Sequence, residues 1–272
     1  MTSPCPLAGR RVLVTRPAHQ AESLCQRIAA MGGVPVRLPL LVIEPAPDPR
    51  SARQALDAGR DAHWLIFTSV NAVTQALALR PDLLRRGRAR VAAIGPATAQ
   101  ALARAGRAPD LVPSGGGYRS EVLLDHPELM QMVGRHVLIV RGSSGRALLG
   151  DTLRSRGAEV AYAGVYRRVC PAVSPERLVL LLLEPRVPDL MVFTSPEALA
   201  NLFALVPEGP LRQALRASQV VVVSEAMVKQ AEKMEFGPQP LRTPPDEAGL
   251  ADALMRWSHE QASTVASPIS PT

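Results

Sequence analysis

Along the chain, short unbroken apolar runs alternate with longer stretches whose apolar positions recur at helical spacing. Val12–Val14 is the first such run. It is followed by a turn, by Leu24 and Ile28 at helical spacing, by Gly32-Gly33, and by a second apolar run at Val34–Leu38. That pattern predicts strand, helix, strand. It returns without a gap at an offset of 125 residues, from Gly134, so that Leu24 maps to Leu149, Ile28 to Leu153 and Gly32 to Gly157. Trp64–Ser69 (WLIFTS) likewise returns as Leu190–Ser195 (LMVFTS), and Val91–Gly95 (VAAIG) as Val220–Ser224 (VVVVS). The period is too long for a solenoid. The chain therefore reads as two related α/β sets.

Between the repeats the pattern predicts helices at 51–60, 70–79, 97–105, 121–132, about 174–184, 197–205, 225–234 and 247–257. Strands are expected at 64–68, 91–95, 190–194, 220–224 and 241–243, with a short one at 111–114 ending in Gly115–Gly117. Residues 39–50 and 164–173 carry prolines that disfavour helix and read as extended links between bodies. The polar, Pro/Ser-rich stretch 259–272 reads as a disordered tail. Strands alternating with helices imply parallel sheets covered on both faces. Five strands per set suggest two flavodoxin-like sheets, with every strand-to-helix loop on one sheet edge.

Composition narrows the function classes. The 272 residues suit about two domains. Three cysteines without ligand spacing argue against a disulfide framework or a thiolate metal site and fit a reducing cytosol. No apolar run has membrane-spanning length, and the N-terminus lacks the apolar core of a signal peptide, so a cytoplasmic protein without a membrane partner is expected. A net charge of +7 would suit an anionic ligand, but 3% aromatics and no zinc-finger or RNA-recognition spacing argue against nucleic acid.

The chemistry-bearing residues gather in the strand-to-helix loops. These hold Thr15 and Arg16; Thr68, Ser69 and Asn71; Gly95, Pro96 and Thr98; Arg141, Gly142, Ser143 and Arg146; Thr194 and Ser195; and Ser224. Helix N-termini present unpaired N–H groups, and the crevice at strand C-termini is where such sheets bind ligands. For any one loop, helix capping is the plainer account; the recurrence across two sheets is what favours an anion site. Arg141–Arg146 lacks the P-loop and dinucleotide fingerprints and reads better as a carboxylate nest flanked by two guanidiniums. The five histidines stand apart in sequence, and no triad or metal spacing emerges. Tyr166, at the second link, is a candidate general acid.

These stretches together resemble the uroporphyrinogen-III synthase family over residues 9–257. The matching pieces are VLVTRP (12–17), IFTSVNAV (66–73), AAIGPATAQAL (92–102), SEVLL (120–124), VLIVRGSSGRALLGDTLRSRGAEV (137–160), Tyr166-Arg-Arg, VFTS (192–195) and VVVSE (221–225). The resemblance implies that 1–38 pairs with 168–258 as one discontinuous domain, that 39–167 is inserted, and that the links form a two-stranded hinge. It implies a cofactor-free cyclising lyase of tetrapyrrole (haem) biosynthesis. Hydroxymethylbilane would lose its hydroxyl as water and close, through an azafulvene and a spiro intermediate, to uroporphyrinogen III with ring D inverted. Tyr166 would assist departure of the hydroxyl. The expected partner is this small-molecule substrate, bound by a monomer in at most transient contact with the upstream synthase. A cofactor-free bilobal anion-binding protein and a catalytically silent paralogue are the alternatives. One turn departs from some members: Ser224-Glu225-Ala226-Met227 stands where they carry Gly-Pro-Thr-Thr, so Thr98 has no counterpart in the second set.

Overall fold

A computed structural model describes residues 5–85, 88–113 and 120–265. The chain forms two compact units, Met1–Val42 with Cys170–Thr272, and Ile43–Val169. The cuts fall at 42/43 and 169/170, where the family resemblance suggested 38/39 and 167/168.

The discontinuous unit holds strands β1 (Arg11–Val14), β2 (Val34–Arg37), β8 (Leu190–Val192), β9 (Gln219–Val222) and β10 (Leu241–Arg242). Their order in the sheet is β10-β9-β8-β1-β2, and each neighbouring pair is parallel. Read by order of appearance in this unit, that is 2-1-3-4-5, the flavodoxin arrangement. Helices α1 (Ala18–Ala30), α7 (Pro175–Leu182), α8 (Pro196–Leu205), α9 (Pro210–Arg216), α10 (Glu225–Lys233) and α11 (Glu247–Val265) complete it. In β1, Val12 and Val14 pack towards α1 and α11 with Leu24, Ile28 and Leu254, while Leu13 packs on the opposite face with Leu199 and Phe203. A strand buried on both faces needs an unbroken apolar run, which is what Val12–Val14 supplies.

The inserted unit holds β3 (Val42–Pro45), β4 (Trp64–Phe67), β5 (Arg90–Ala93), β6 (His136–Gly142) and β7 (Glu159–Val169), in the order β3-β7-β6-β4-β5. Its helices are α2 (Pro49–Ala58), α3 (Val70–Leu79), α4 (Pro96–Arg104), α5 (Ser120–Leu124) and α6 (Leu148–Ser155). The duplicated residues do the same work here: Leu149 and Leu153 pack under β6 as Leu24 and Ile28 pack under β1. Gly32 and Gly157 both end their helices with positive φ, +79° and +92°, a conformation that costs glycine nothing. At the edge β3 lies beside β7, and the Glu44 carboxylate accepts from Arg167 Nε at 2.8 Å.

Several expectations change. The helix expected over 121–132 stops at Leu124, and a single 3₁₀ turn, Pro127–Leu129, follows. Pro127 forces His126 into extended backbone (φ −70°, ψ 133°). The strand expected at 111–114 reduces to one bridge, Leu111 to Ala92; Gly115–Gly117 lie outside the described residues. The fifth strand of that sheet is β3, drawn from the link. The second link is strand as far as Val169. Helix α9, opened by Gly209 and Pro210, was not expected; Pro at the first helical position is its sequence signal. The last helix continues beyond Trp257 to Val265, across residues 259–265 that read as tail; 266–272 lie outside the described residues.

Candidate functional site

Parallel pairing brings the strand-to-helix loops of each unit to one sheet edge. In the inserted unit, the centre of that edge is made by a bulge. Arg141 pairs with Gly164 and Gly142 with Tyr166, leaving Val165 as the extra residue. Strict alternation would put Tyr162, Gly164 and Tyr166 on one face. The bulge instead turns Tyr166 to the face of Ala163 and Val165. There Tyr166 is 2% exposed, and its Oη lies 3.1 Å from Ser69 Oγ. Ser143 N–H donates to Tyr166 O at 2.7 Å, tying the Arg141 loop to the same strand. A Cβ on Gly142 would stand 3.0 Å from Tyr166 Cζ, so this glycine makes room for the ring. Tyr166, Ser69, Gly142 and Ser143 are thus brought together.

The serines have definite jobs. Ser69, Ser195 and Ser224 are the N-caps of α3, α8 and α10, and each Oγ accepts from the N–H three residues on (Ala72, Ala198, Met227). Gly95 precedes α4 without a side-chain cap, Pro96 takes its first position, and Thr98 is buried in its first turn. Thr15 Oγ1 donates to Val192 O at 2.8 Å and Thr68 Oγ1 to Val140 O at 3.3 Å. Both hydroxyls are engaged within the sheet, holding one strand to the next. Asn71 in the first turn of α3 and Thr194 before α8 are half-buried.

Arg16 is half-buried beyond β1. Its Nη2 donates to Pro245 O at 3.0 Å, and its buried Nε has no hydrogen-bond partner among the described residues. Burial pulls its pKa down, and the Glu247 carboxylate opposes that. In the inserted unit, Arg141, Ser143, Ser144 and Gly145 line a pocket of about 470 Å³, with Asp48 and Ser51 of the α2 N-terminus on the other side. Arg141 Nη1 donates to Arg146 O at 3.0 Å. Arg146 itself is exposed and pairs with Glu121.

Other arginines account structurally for part of the basic charge. Arg11 donates to Leu181 O, Arg156 to Leu124 O and Leu129 O, Arg186 to Gly9 O, and Arg216 to Met234 O. Most of these carbonyls belong to helix ends or turns, which need such donors. The histidines stand apart in sequence, but His63 and His136 meet: their rings are 5.6 Å apart and His136 N–H donates to His63 Nδ1 at 3.0 Å. Each borders the N-terminal end of a strand in the neighbouring pair β4 and β6, and that adjacency was the signal. They lie at the edge opposite the loops. Among the described residues no group of three or more His, Cys, Asp or Glu could hold a metal ion, and no helix is long and apolar enough to cross a membrane.

Comparison with known proteins gives one consistent result. The family model for uroporphyrinogen-III synthase HemD matches residues 22–251. The chain is similar to the uroporphyrinogen-III synthase of Escherichia coli (strain K12), 34% identical over 247 residues, covering 90% of this chain and 98% of that protein. It is 33% identical over 257 residues to the same enzyme of Salmonella typhimurium (strain LT2), with the same coverage. The fold is that of a solved mutant uroporphyrinogen III synthase from the extremely thermophilic bacterium Thermus thermophilus (TM-score 0.64, 22% identity, 94% of this chain and 100% of that one). A second such fold is the uroporphyrinogen-III synthetase of Helicobacter pylori 26695 (TM-score 0.55, 15% identity, 93% and 99%).

Proposed function

The chain belongs to the uroporphyrinogen-III synthase family, and from that premise we propose how it cyclises hydroxymethylbilane. The protein is a cyclising lyase of tetrapyrrole biosynthesis. It acts as a cytoplasmic monomer without a cofactor. The substrate's carboxylates are held by strand-edge loops, among them the open N-terminus of α4 and the Arg141–Gly145 turn of the inserted unit.

In the reaction the C–O bond of the terminal hydroxymethyl group breaks. Tyr166 Oη gives its proton to the departing hydroxyl, which leaves as water, and Ser69 holds the phenol in place. The phenolate later recovers a proton from the carbon at which the ring closes, so the net change is loss of one water. A phenol is a weaker acid than the usual catalytic imidazole or carboxyl, so its assistance is partial. The main task is to fold the chain of pyrroles with ring D reversed and to keep water from the cation. The observation that carries this site is the contact of Tyr166 Oη with Ser69 Oγ at one sheet edge, with the turn that lines the Arg141 pocket tied to the same strand by Ser143 N–H on the Tyr166 carbonyl.

The test is product identity. Freshly made hydroxymethylbilane is supplied, the products are oxidised, and isomers I and III are separated by chromatography. Isomer III should dominate. Isomer I formed at the rate seen without protein would overturn the proposal. Tyr166→Phe should lower kcat by about tenfold, below the usual range for general acids, with product affinity little changed.

A further inference from the structure

The Arg141 guanidinium is seated on a surface built for it. Its Cζ lies 5.3 Å from the centroid of Tyr162, over the ring. Arg154, from the last turn of α6, also lies over that ring, at 5.1 Å, and is held there by Asp151 and by Val160 O. Tyr162 is half-buried on β7, and its hydroxyl end points at Gly150 of α6. A Cβ on Gly150 would overlap Tyr162 Oη, so the ring reaches this position only because residue 150 has no side chain. On the other side, Gly145 has φ +145°, and a Cβ there would overlap Arg141 Nη2. Arg141, Gly145 and Tyr162 all line the 470 Å³ pocket.

A long arginine at the end of a strand would otherwise sample many rotamers, and ordering it on substrate binding would cost affinity. Given the reading of the Arg141 loop as a carboxylate site, on which this rests, we propose that Tyr162 is a positioning residue that holds Arg141 in its binding orientation. The ring supplies a flat, electron-rich face for the guanidinium. The hydrogen bond from Arg141 Nη1 to Arg146 O fixes the rotation. Tyr162 itself touches no reacting atom.

The experiment is a double-mutant cycle read as KM and kcat in the isomer assay, with Tm measured for each variant. Arg141→Ala should raise KM about tenfold, the loss of one charge-assisted contact. Tyr162→Leu should raise KM about three- to fivefold with kcat unchanged, as loss of a partly exposed cation–π seat predicts. Tyr162→Phe keeps the ring and should restore the wild-type KM. In the Arg141→Ala background, Tyr162→Leu should have no further effect on KM. If Arg141→Ala raises KM while Tyr162→Leu lowers only Tm, the positioning role is refuted and the carboxylate reading stands. If Arg141→Ala leaves KM at the wild-type value, the carboxylate reading itself falls, and the role of Tyr162 falls with it.

Discussion

Ser69→Ala separates the two jobs that one hydroxyl performs. As the N-cap of α3 it accepts from Ala72 N–H, and losing such a cap costs about 1 kcal/mol. It is also the hydrogen-bond partner of Tyr166 Oη, in a residue 2% exposed. Leaving a buried hydroxyl without its partner costs a further 1–3 kcal/mol or so. The substitution should therefore destabilise the inserted unit by about 2–4 kcal/mol. Ser195→Ala and Ser224→Ala remove caps with no buried phenol attached and should cost their own unit about 1 kcal/mol each. In a Tyr166→Phe background, Ser69→Ala should cost only the cap, giving a coupling of about 1 kcal/mol or more. The chain's two tryptophans divide between the units, Trp64 in the inserted one and Trp257 in the other, both buried. With Trp257→Phe, urea unfolding followed by fluorescence reports the inserted unit, and with Trp64→Phe it reports the other, where Ser195 and Ser224 lie. A Ser69→Ala cost equal to that of Ser195→Ala, or a cycle additive to within about 0.3 kcal/mol, would refute the link between Ser69 and the tyrosine.

Asp189→Asn tests an ionic tie at the opposite edge of the other sheet. Burial raises the Asp189 pKa, but hydrogen bonds from Arg11 N–H, Arg186 and Arg10 outweigh it and leave it below the ordinary value of 3.8. A depressed carboxyl contributes stability that is present above its unfolded pKa and lost as pH falls through the folded one. The wild type should therefore exceed the variant by about 1–2 kcal/mol at pH 7, since the arginines are half-exposed, and the gap should close below pH 3.8; a gap independent of pH would argue against it. Gly150→Ala should raise KM by displacing Tyr162, while Tm changes little because alanine favours the helix by about 1 kcal/mol. An unchanged KM would show that the ring has room to adjust.

Much of the architecture is legible in the sequence because burial on both faces demands unbroken apolar runs. WLIF at 64–67 and VVVV at 220–223 have no other use in a chain of this kind. The repeat also marks which residues lie on the same face of the corresponding helices. Other features depend on distances that no local pattern encodes. Period-two reading puts Tyr162 and Tyr166 on the same side of their strand, and the extra residue Val165 separates them. Thr15 and Thr68 look like ligand contacts by position, yet whether a hydroxyl faces a ligand or a neighbouring carbonyl is decided by strand packing. The seat formed by Gly150 and Tyr162 joins residues from α6 and β7, and only the paired glycine and aromatic hint at it. The meeting of His63 and His136 likewise required knowing that β4 and β6 are neighbours.

A ribosome delivers this chain in an order that treats the two units differently. All strands of the inserted unit have emerged once Val169 is free, so it can close while synthesis continues. The other unit begins first and finishes last. Its first strand, β1, gains β2 at once, but β8, its neighbour on the other side and the middle strand of the sheet, arrives only at Leu190. At about 5–20 residues per second, that leaves one side of β1 without its strand for roughly ten to thirty-five seconds. During that interval the apolar run Val12–Val14 is a nascent edge, open to pairing with another chain. Chaperone demand during translation should therefore fall on the amino-terminal thirty-odd residues, although in the finished protein β1 is paired on both sides, by β2 and β8.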